Sequence, residues 1–382
     1  MKIIIASLLS PGNSSGTERF IEILYTELKT KNIDVYLANR QFKNKIINYI
    51  IRFPGRILHK FCKKYIWLSW DLLYSTISVG VKILFIKIQV KTITVIHAQD
   101  IFAGYIALVL KLLFNYRLIL TVHFNESVAT EFIENKLMKR NGLLNKTIDY
   151  LEKNVLQKAD HIVFVSDFMC KSLLKKYSIK DYSVIYNGTK RKNKITEKIL
   201  ENEGKKILLN IGTLEKRKNQ IFLIEMFSEL LKINKNYELW LIGGGEDSNK
   251  LKEAVDKKNI YSNVFFLGKV ENVYEYLSRT FLYLHSALME ALGIALLEAQ
   301  SFGIPIIAPP VGGIPELVKD GFNGYLLNTN EDNIPNWVNK IEELAKNRSL
   351  YVELSKNSIF TFENNFTKEI MINKYLEIHN SI

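Results

Sequence analysis

Glu290-Ala-Leu-Gly-Ile-Ala-Leu-Leu-Glu298 lies at the centre of the stretch that decides the fold. From Leu284 to Val318, apolar runs and turn residues alternate as strand, loop, helix, strand, loop, helix. That alternation is the pattern of a parallel sheet with crossover helices. Glu290 precedes Gly293 in the first loop, and Glu298 falls inside a helix whose first turn is Ile294 to Leu296. One carboxylate stands at the helix mouth and the other about a turn further in.

An open helix N-terminus offers unpaired N–H groups and the positive end of a dipole, so it suits a diphosphate without requiring a metal. Carboxylates beside it accept hydrogen bonds from hydroxyl groups. The pattern suits a nucleotide sugar, with its phosphates on the amides of Gly293, Ile294 and Ala295, Glu298 at the ribose and Glu290 at the transferred sugar. Ordinary surface helices also carry such glutamate pairs, so the surrounding sequence has to decide.

Outward from this segment the alternation continues in both directions. Strands are predicted at Lys2-Leu8, Asp34-Ala38, Thr92-His97, Leu118-His123, Ile162-Ser166 and Ser183-Tyr186, and again at Lys206-Ile211, Glu238-Ile242, Val264-Leu267, Phe281-His285, Ile304-Ala308 and Gly324-Leu327. The clearest helices are Thr17-Lys29, Phe102-Leu113, Leu144-Lys158, Asn219-Lys232 and Ile294-Ser301. The polar, Lys-rich stretch Asn187 to Lys205 reads as a linker. A chain of 382 residues is comfortable for two α/β domains, here 1–190 and 205–366. The tail 367–382 has helical spacing at Ile370, Ile372, Tyr375 and Ile378 and is expected to pack back on the first domain.

Hydrophobic residues make up 47% and charged residues 24%, which excludes a disordered chain. The cysteines, Cys62 and Cys170, give neither a disulfide framework nor a zinc site and point to a reducing compartment. Met1 to Leu9 reads as a buried first strand, because no cleavage pattern follows it. The apolar stretches Leu72-Val81 and Ile101-Leu110 are cut off by Lys82 and Lys111, short of the ~20 residues a spanning helix needs.

Net charge is +13, and between Arg40 and Lys91 eleven Lys/Arg face one acid, Asp71. Phe53, Ile57, Phe61, Tyr65, Trp67 and Trp70 are interleaved with these cations. The pattern fits a helix on an anionic membrane surface or a site for a phosphate-bearing lipid; it equally fits a basic helix covering the sheet, whose Lys and Arg stems reach out to water.

Two loops add cations and glycines. Ile211-Gly-Thr-Leu-Glu-Lys-Arg-Lys-Asn219 follows a strand and precedes a helix, where Lys218 can neutralise a diphosphate leaving group. The plainer reading of Lys216, Arg217 and Lys218 is a solvated turn. In Pro11-Gly-Asn-Ser-Ser-Gly-Thr-Glu-Arg19, Gly12 and Gly16 allow close approach of a phosphate or acceptor. His123 ends a strand, at the edge where open α/β sheets bind ligands, and His97 on the preceding strand is a weaker candidate.

The run Ser286 to Leu327 resembles the C-terminal signature of the retaining glycosyltransferases of family four. Their fold, GT-B, is a pair of Rossmann-like, doubly wound α/β domains facing a central cleft. Glu290 and Glu298 match the family's paired glutamates, Gly303-Ile-Pro-Ile-Ile-Ala308 the following strand, Gly312-Gly-Ile-Pro-Glu316 the next loop, and Asp320-Gly-Phe-Asn-Gly324 completes the match. The family usually writes Glu-Gly-Phe-Gly where this chain has Glu290-Ala-Leu-Gly293. The loop of Gly212 and Lys218 resembles the family's glycine-arginine…lysine loop, with Lys218 on the lysine; Thr213 stands where arginine is common, and Arg217 is taken as the second cation. Gly16 falls in the family's glycine-rich loop, and His123 resembles the histidine that faces the donor sugar. The match is dense over residues 205–330 and sparse over 1–190.

The resemblance implies a retaining, hexosyl-type glycosyltransferase with no cofactor beyond its substrate, a UDP- or GDP-sugar, and no obligatory metal. Its acceptor would be a glycan or a lipid-linked glycan; the basic N-terminal half points to a bacterial surface polysaccharide assembled on a lipid carrier. The location would be cytoplasmic, on the inner face of the membrane, and nucleic acid is not expected as a partner. Two rivals are weighed. A nicotinamide-dependent oxidoreductase or epimerase is disfavoured because no GxGxxG opens a helix with an acid ~20 residues on. A non-catalytic nucleotide-sugar-binding module is disfavoured by Glu290, Glu298 and Lys218.

Overall fold

The computed structural model describes residues 1–11, 16–41, 64–124, 127–134, 137–192 and 204–381. The chain forms two compact units, Met1–Ile185 with Ile372–Ile382, and Tyr186–Met371. Each is built on a six-stranded, wholly parallel sheet, the doubly wound α/β architecture that the GT-B resemblance implies.

In the first unit the strands are β1 (Lys2–Ser7), β2 (Asp34–Asn39), β3 (Val95–Ala98), β4 (Arg117–Val122), β5 (His161–Phe164) and β6 (Tyr182–Val184), in the order β2-β1-β3-β4-β5-β6. Central strands of a doubly covered sheet are apolar on both faces. Accordingly Ile3, Ile4 and Ile5 of β1 are all buried, in register with Val35, Tyr36 and Leu37 of β2 and with Val95, Ile96 and His97 of β3. The helix Gly16–Thr30 covers the sheet with Phe20, Ile21, Leu24 and Leu28, the 3.6-residue stripe of an amphipathic helix.

In the second unit β7 (Lys206–Ile211), β8 (Tyr237–Ile242), β9 (Val264–Gly268), β10 (Leu282–Leu284), β11 (Ile306–Ala308) and β12 (Gly324–Leu326) run in the order β12-β11-β10-β7-β8-β9. Its core packs the helix Gln220–Ile233 against the helix Ile334–Lys346, with Phe222 edge-on to Trp337 at 5.3 Å, and stacks Phe281 on Tyr351 at 4.9 Å.

The second unit begins earlier than the sequence suggests. Thr189, read as linker, forms a parallel bridge with Thr367, and its amide donates to Phe366 O at 3.1 Å. A short backbone pairing has enrolled a segment that carries no apolar period. The rest of that linker, 193–203, lies outside the described residues. The C-terminal helix Lys368–Ser381 passes from the second unit into the first, where Tyr375 Oη lies 3.2 Å from Thr121 Oγ1 and His379 Nε2 lies 3.2 Å from His97 Nδ1.

Of the basic-aromatic stretch, Phe53, Ile57 and Phe61, and the side chains of Tyr65 and Trp67, lie outside the described residues. Trp70 sits on the helix Lys64–Gln89. Among the described residues no helix is long and apolar enough to cross a membrane.

Candidate active site

In the second sheet β7 and β10 are neighbours, paired at Leu208 with Leu282 and Leu209 with Tyr283. From β7 the sheet grows through β8 to β9, and from β10 through β11 to β12, on the other side. This reversal of winding opens a crevice at the carboxyl ends of the two strands, the place where doubly wound sheets bind ligands. The two loops singled out from the sequence, 212–219 after β7 and 285–293 after β10, leave the sheet side by side at that point.

Hydrogen bonds zip the two loops together. Asn210 Nδ2 donates to Leu284 O at 2.8 Å, Ser286 Oγ to Lys218 O at 2.7 Å and Leu288 N to Arg217 O at 2.8 Å. Lys218 closes a 3-10 turn, Lys216–Lys218, which Asn219 ends in the left-handed conformation, φ 53°. Asparagine visits that region more easily than most residues. A third loop fixes Glu290: Gly313 N donates to Glu290 O at 2.9 Å, and Gly312 approaches the same carbonyl with φ +57°. An added Cβ there would lie 1.9 Å from Glu290 O, so only glycine fits.

The glycine run after β8 has a similar reason. Gly243 (φ +139°) lies so close to the lysine loop that an added Cβ would meet Gly212 O at 1.9 Å, and Leu214 N donates to Gly244 O at 3.2 Å. These glycines position the loop that carries Lys218.

At the centre the Lys218 ammonium donates to the Glu290 carboxylate, and His285 Nε2 stands 3.4 Å from the same oxygen, Oε2. All three side chains are largely buried. Burial alone would push the Glu290 carboxyl up, but Lys218, His285 and Arg217 together hold it well below the ordinary carboxylate range. Burial lowers His285, against the pull of Glu290, so this imidazole is neutral at neutral pH. The site therefore holds an ionised carboxylate and a buried cation beside the N-terminus of the helix Ile294–Ser301, whose N-cap is Gly293.

Gly293, Ile294 and Ala295 form the half-exposed first turn of that helix, and Glu298 is buried further along it. Arg217 points elsewhere: Nη2 pairs with Glu215 at 2.8 Å and Nη1 donates to Met289 O at 3.2 Å, so it joins the two loops. Gly212 lies against the Lys218 stem. In the first unit Gly16 opens the helix Gly16–Thr30, and Gly12 lies outside the described residues. His123 follows β4, packs edge-on against Phe20 at 4.8 Å and lies, through Nε2, 3.1 Å from Gln99 Oε1; burial pulls it down to about 3, so it is neutral.

Sequence reading passes over three residues that the fold brings into play. His285 follows β10 beside the reversal of winding, and the strand-end rule that picks out His123 applies to it equally. Lys192, from the segment read as linker, places its ammonium 3.8 Å over the Tyr274 ring, where burial lowers its pKa against the opposing charge of Glu298. No local signal marks it. Asp100 caps the helix Ile101–Leu110 by accepting from Ala103 N at 2.8 Å, and also accepts from Leu8 N at 2.7 Å, tying the loop after β1 to the reversal point of the first sheet. An Asp before an apolar helix is a readable N-cap signal.

Two family models match this chain. "Glycosyl transferases group 1" matches residues 191–359, and "Glycosyltransferase Family 4" matches residues 14–192. The chain is 29% identical over 177 residues to an N-acetyl-alpha-D-glucosaminyl L-malate synthase of Bacillus anthracis, a stretch that spans 46% of each protein. It is 27% identical over 364 residues to an uncharacterized glycosyltransferase, MJ1178, of Methanocaldococcus jannaschii, covering 94% of this chain and 92% of that one. In structure it superposes on Anabaena HepE, solved in complex with UDP, with a TM-score of 0.74 over 100% of both chains at 16% identity, a likeness of fold.

Proposed function

The chain belongs to the glycosyl transferases group 1, the GT-B glycosyltransferases, and from that premise we propose that it moves a hexosyl group from a nucleotide diphosphate to a glycan or lipid-linked acceptor with retention of configuration. The observation that carries this reading is the convergence of Lys218, His285 and Glu290 beside the helix that opens at Gly293. The diphosphate lies on the amides of Gly293, Ile294 and Ala295, with Lys218 as its counter-cation. When the sugar–phosphate bond breaks, its electron pair stays on the diphosphate, and a cation already in place lowers that barrier. The same cation and amides supply positive charge without an obligatory metal.

Glu290 accepts hydrogen bonds from the sugar hydroxyls and Glu298 from the ribose. Arg217 acts as a positioning residue that holds the loop of Lys218 against that of Glu290. His123, neutral and at the carboxyl edge of the first unit's own sheet, is assigned as a hydrogen-bonding group for substrate. The pathway in this reading is a bacterial surface polysaccharide assembled on a lipid carrier on the cytoplasmic side of the membrane.

The test is a panel of nucleotide sugars without acceptor, UDP-sugars first, read by thermal shift and by slow release of nucleoside diphosphate. One sugar nucleotide is expected to raise the melting temperature and to be hydrolysed slowly. Glu298→Ala should lose both responses. A panel in which nothing binds, or a Glu298→Ala protein with undiminished affinity and turnover, overturns the reading.

A further inference from the structure

The helix Lys64–Gln89 presents an apolar ridge to the outside of the first unit. Trp70, Leu73, Ile77, Val81, Phe85 and Ile88 are all exposed, from 37% at Trp70 to 61% at Ile88. Their spacing of three or four residues keeps them on one side of the helix. At ~1.5 Å per residue the ridge is about 27 Å long. Tyr74 and Leu84 fall on the same arc, and no charged residue does. The opposite side is an ordinary packing face: Ser75, Val79 and Ile83 are buried, and Gly80 admits Ile106 of the helix Ile101–Leu110. Leu112 and Leu113, just beyond that second helix, are exposed too, at 86% and 73%.

A helix with apolar side chains on its outer face as well as its packing face normally has both faces covered. The charge of the chain says by what. The first unit carries 28 Lys/Arg against 15 Asp/Glu, and the second 24 against 24, so all of the net charge of +13 belongs to the unit that bears the ridge. Two copies of so basic a unit repel each other. A nucleic acid would satisfy the charge and leave the ridge in water. An anionic bilayer takes both: apolar side chains enter the boundary between headgroups and acyl chains, while Lys and Arg meet the phosphates at about 1 kcal/mol each. We propose that the first unit docks on the surface of an anionic membrane, with the helix Lys64–Gln89 lying in the interface plane and its Trp70-to-Ile88 ridge inserted.

The experiment is co-sedimentation of the full chain with phosphatidylcholine vesicles, with and without phosphatidylglycerol, at low and moderate salt. The chain should partition onto the phosphatidylglycerol vesicles and release as salt rises. The double variant Ile77→Glu/Phe85→Glu, altered only at exposed positions, should partition at least about tenfold less with an unchanged melting temperature. Phe322→Glu/Phe360→Glu, with the same charge change at exposed positions of the second unit, should partition about as the parent does. A parent chain that stays in the supernatant overturns the proposal. So does a ridge variant that binds as well as the parent, or a parent dimer that the ridge variant converts to monomer without vesicles. Neither donor nor acceptor is present, so a negative result leaves the transferase reading intact.

Discussion

Lys218 and Glu290, 72 residues apart in sequence, are ion-paired at the carboxyl edge of the second sheet, and His285 stands on the same carboxylate oxygen. The lysine is therefore largely buried and held in place at the position the proposed function gives to the counter-cation of the diphosphate. Lys218→Ala leaves a buried carboxylate with a neutral imidazole beside it and only the more distant charge of Arg217. We expect a loss of about 2 kcal/mol of stability in chemical denaturation, and a fall of roughly a hundredfold in donor turnover. Lys218→Arg should recover much of the stability and less of the turnover, because a planar guanidinium does not replace a point charge.

The depressed Glu290 carboxyl makes a signed prediction for pH. Its folded value lies below the ordinary 4.5, so its contribution to stability is complete above 4.5 and is lost as pH falls below that. Denaturation of the parent and of Glu290→Gln, compared between neutral pH and strong acid, should show the parent's advantage shrinking only on the acid side of 4.5. An advantage that holds constant there means the pair contributes nothing net.

Gly312 and Gly321 both have positive φ, +57° and +71°, but differ in what surrounds them. An alanine Cβ at 321 meets nothing within 4 Å, whereas at 312 it lies 1.9 Å from Glu290 O. Gly321→Ala should cost about 1 kcal/mol, the strain of the left-handed region alone. Gly312→Ala should cost about 3 kcal/mol or more and also lower donor turnover, because relieving the overlap moves Glu290. Equal costs at the two sites would mean that the loop yields freely.

The contrast between those glycines shows what the sequence holds. The twelve strands among the described residues are all legible, the central ones because a strand buried on both faces writes itself as a continuous apolar run such as Ile3-Ile4-Ile5. The acidic and basic residues of the site are legible because their loops follow such strands. Arg217 and Lys218 adjoin in sequence, yet only Lys218 reaches Glu290, since side-chain direction on a 3-10 turn depends on the loop packed against it. Thr189 and Lys192 join the second unit through a single bridge and one ring face, interactions without periodicity. The helix Lys64–Gln89 reads as basic and aromatic, but where it packs on the helix Ile101–Leu110 depends on Gly80 admitting Ile106, a contact between distant positions.

Asp100 links a helix cap to a loop of the first sheet. It accepts from Ala103 N, from Leu8 N and, at 3.0 Å, from Ser7 Oγ. Asp100→Ala removes the cap and leaves inward-facing donors unpaired, with an expected cost of about 2–3 kcal/mol in denaturant unfolding. Asp100→Asn keeps one oxygen for the cap and should cost about half as much. The distinction is local: an effect on nucleotide-sugar binding to the second unit is not expected from either variant.

The C-terminal helix is held on the first sheet by buried histidines, and that makes its docking sensitive to acid. His379, 3% exposed, has its pKa drawn down by burial from 6.5 to about 4; His97 is drawn down by burial too, with His379 next in effect. Both are neutral in the folded chain, and protonation favours the state in which the helix is released. A histidine depressed on folding contributes stability that is complete above the ordinary 6.5 and lost as pH falls below it. For His379 alone the loss approaches about 3 kcal/mol at pH near its folded value. Hydrogen exchange of the amides in Lys368–Ser381 should quicken, after correction for intrinsic rate, between pH 6.5 and about 4. His379→Gln should flatten that dependence, since an amide fills similar space without titrating. If the parent helix stays equally protected across this range, the histidines are spectators of docking.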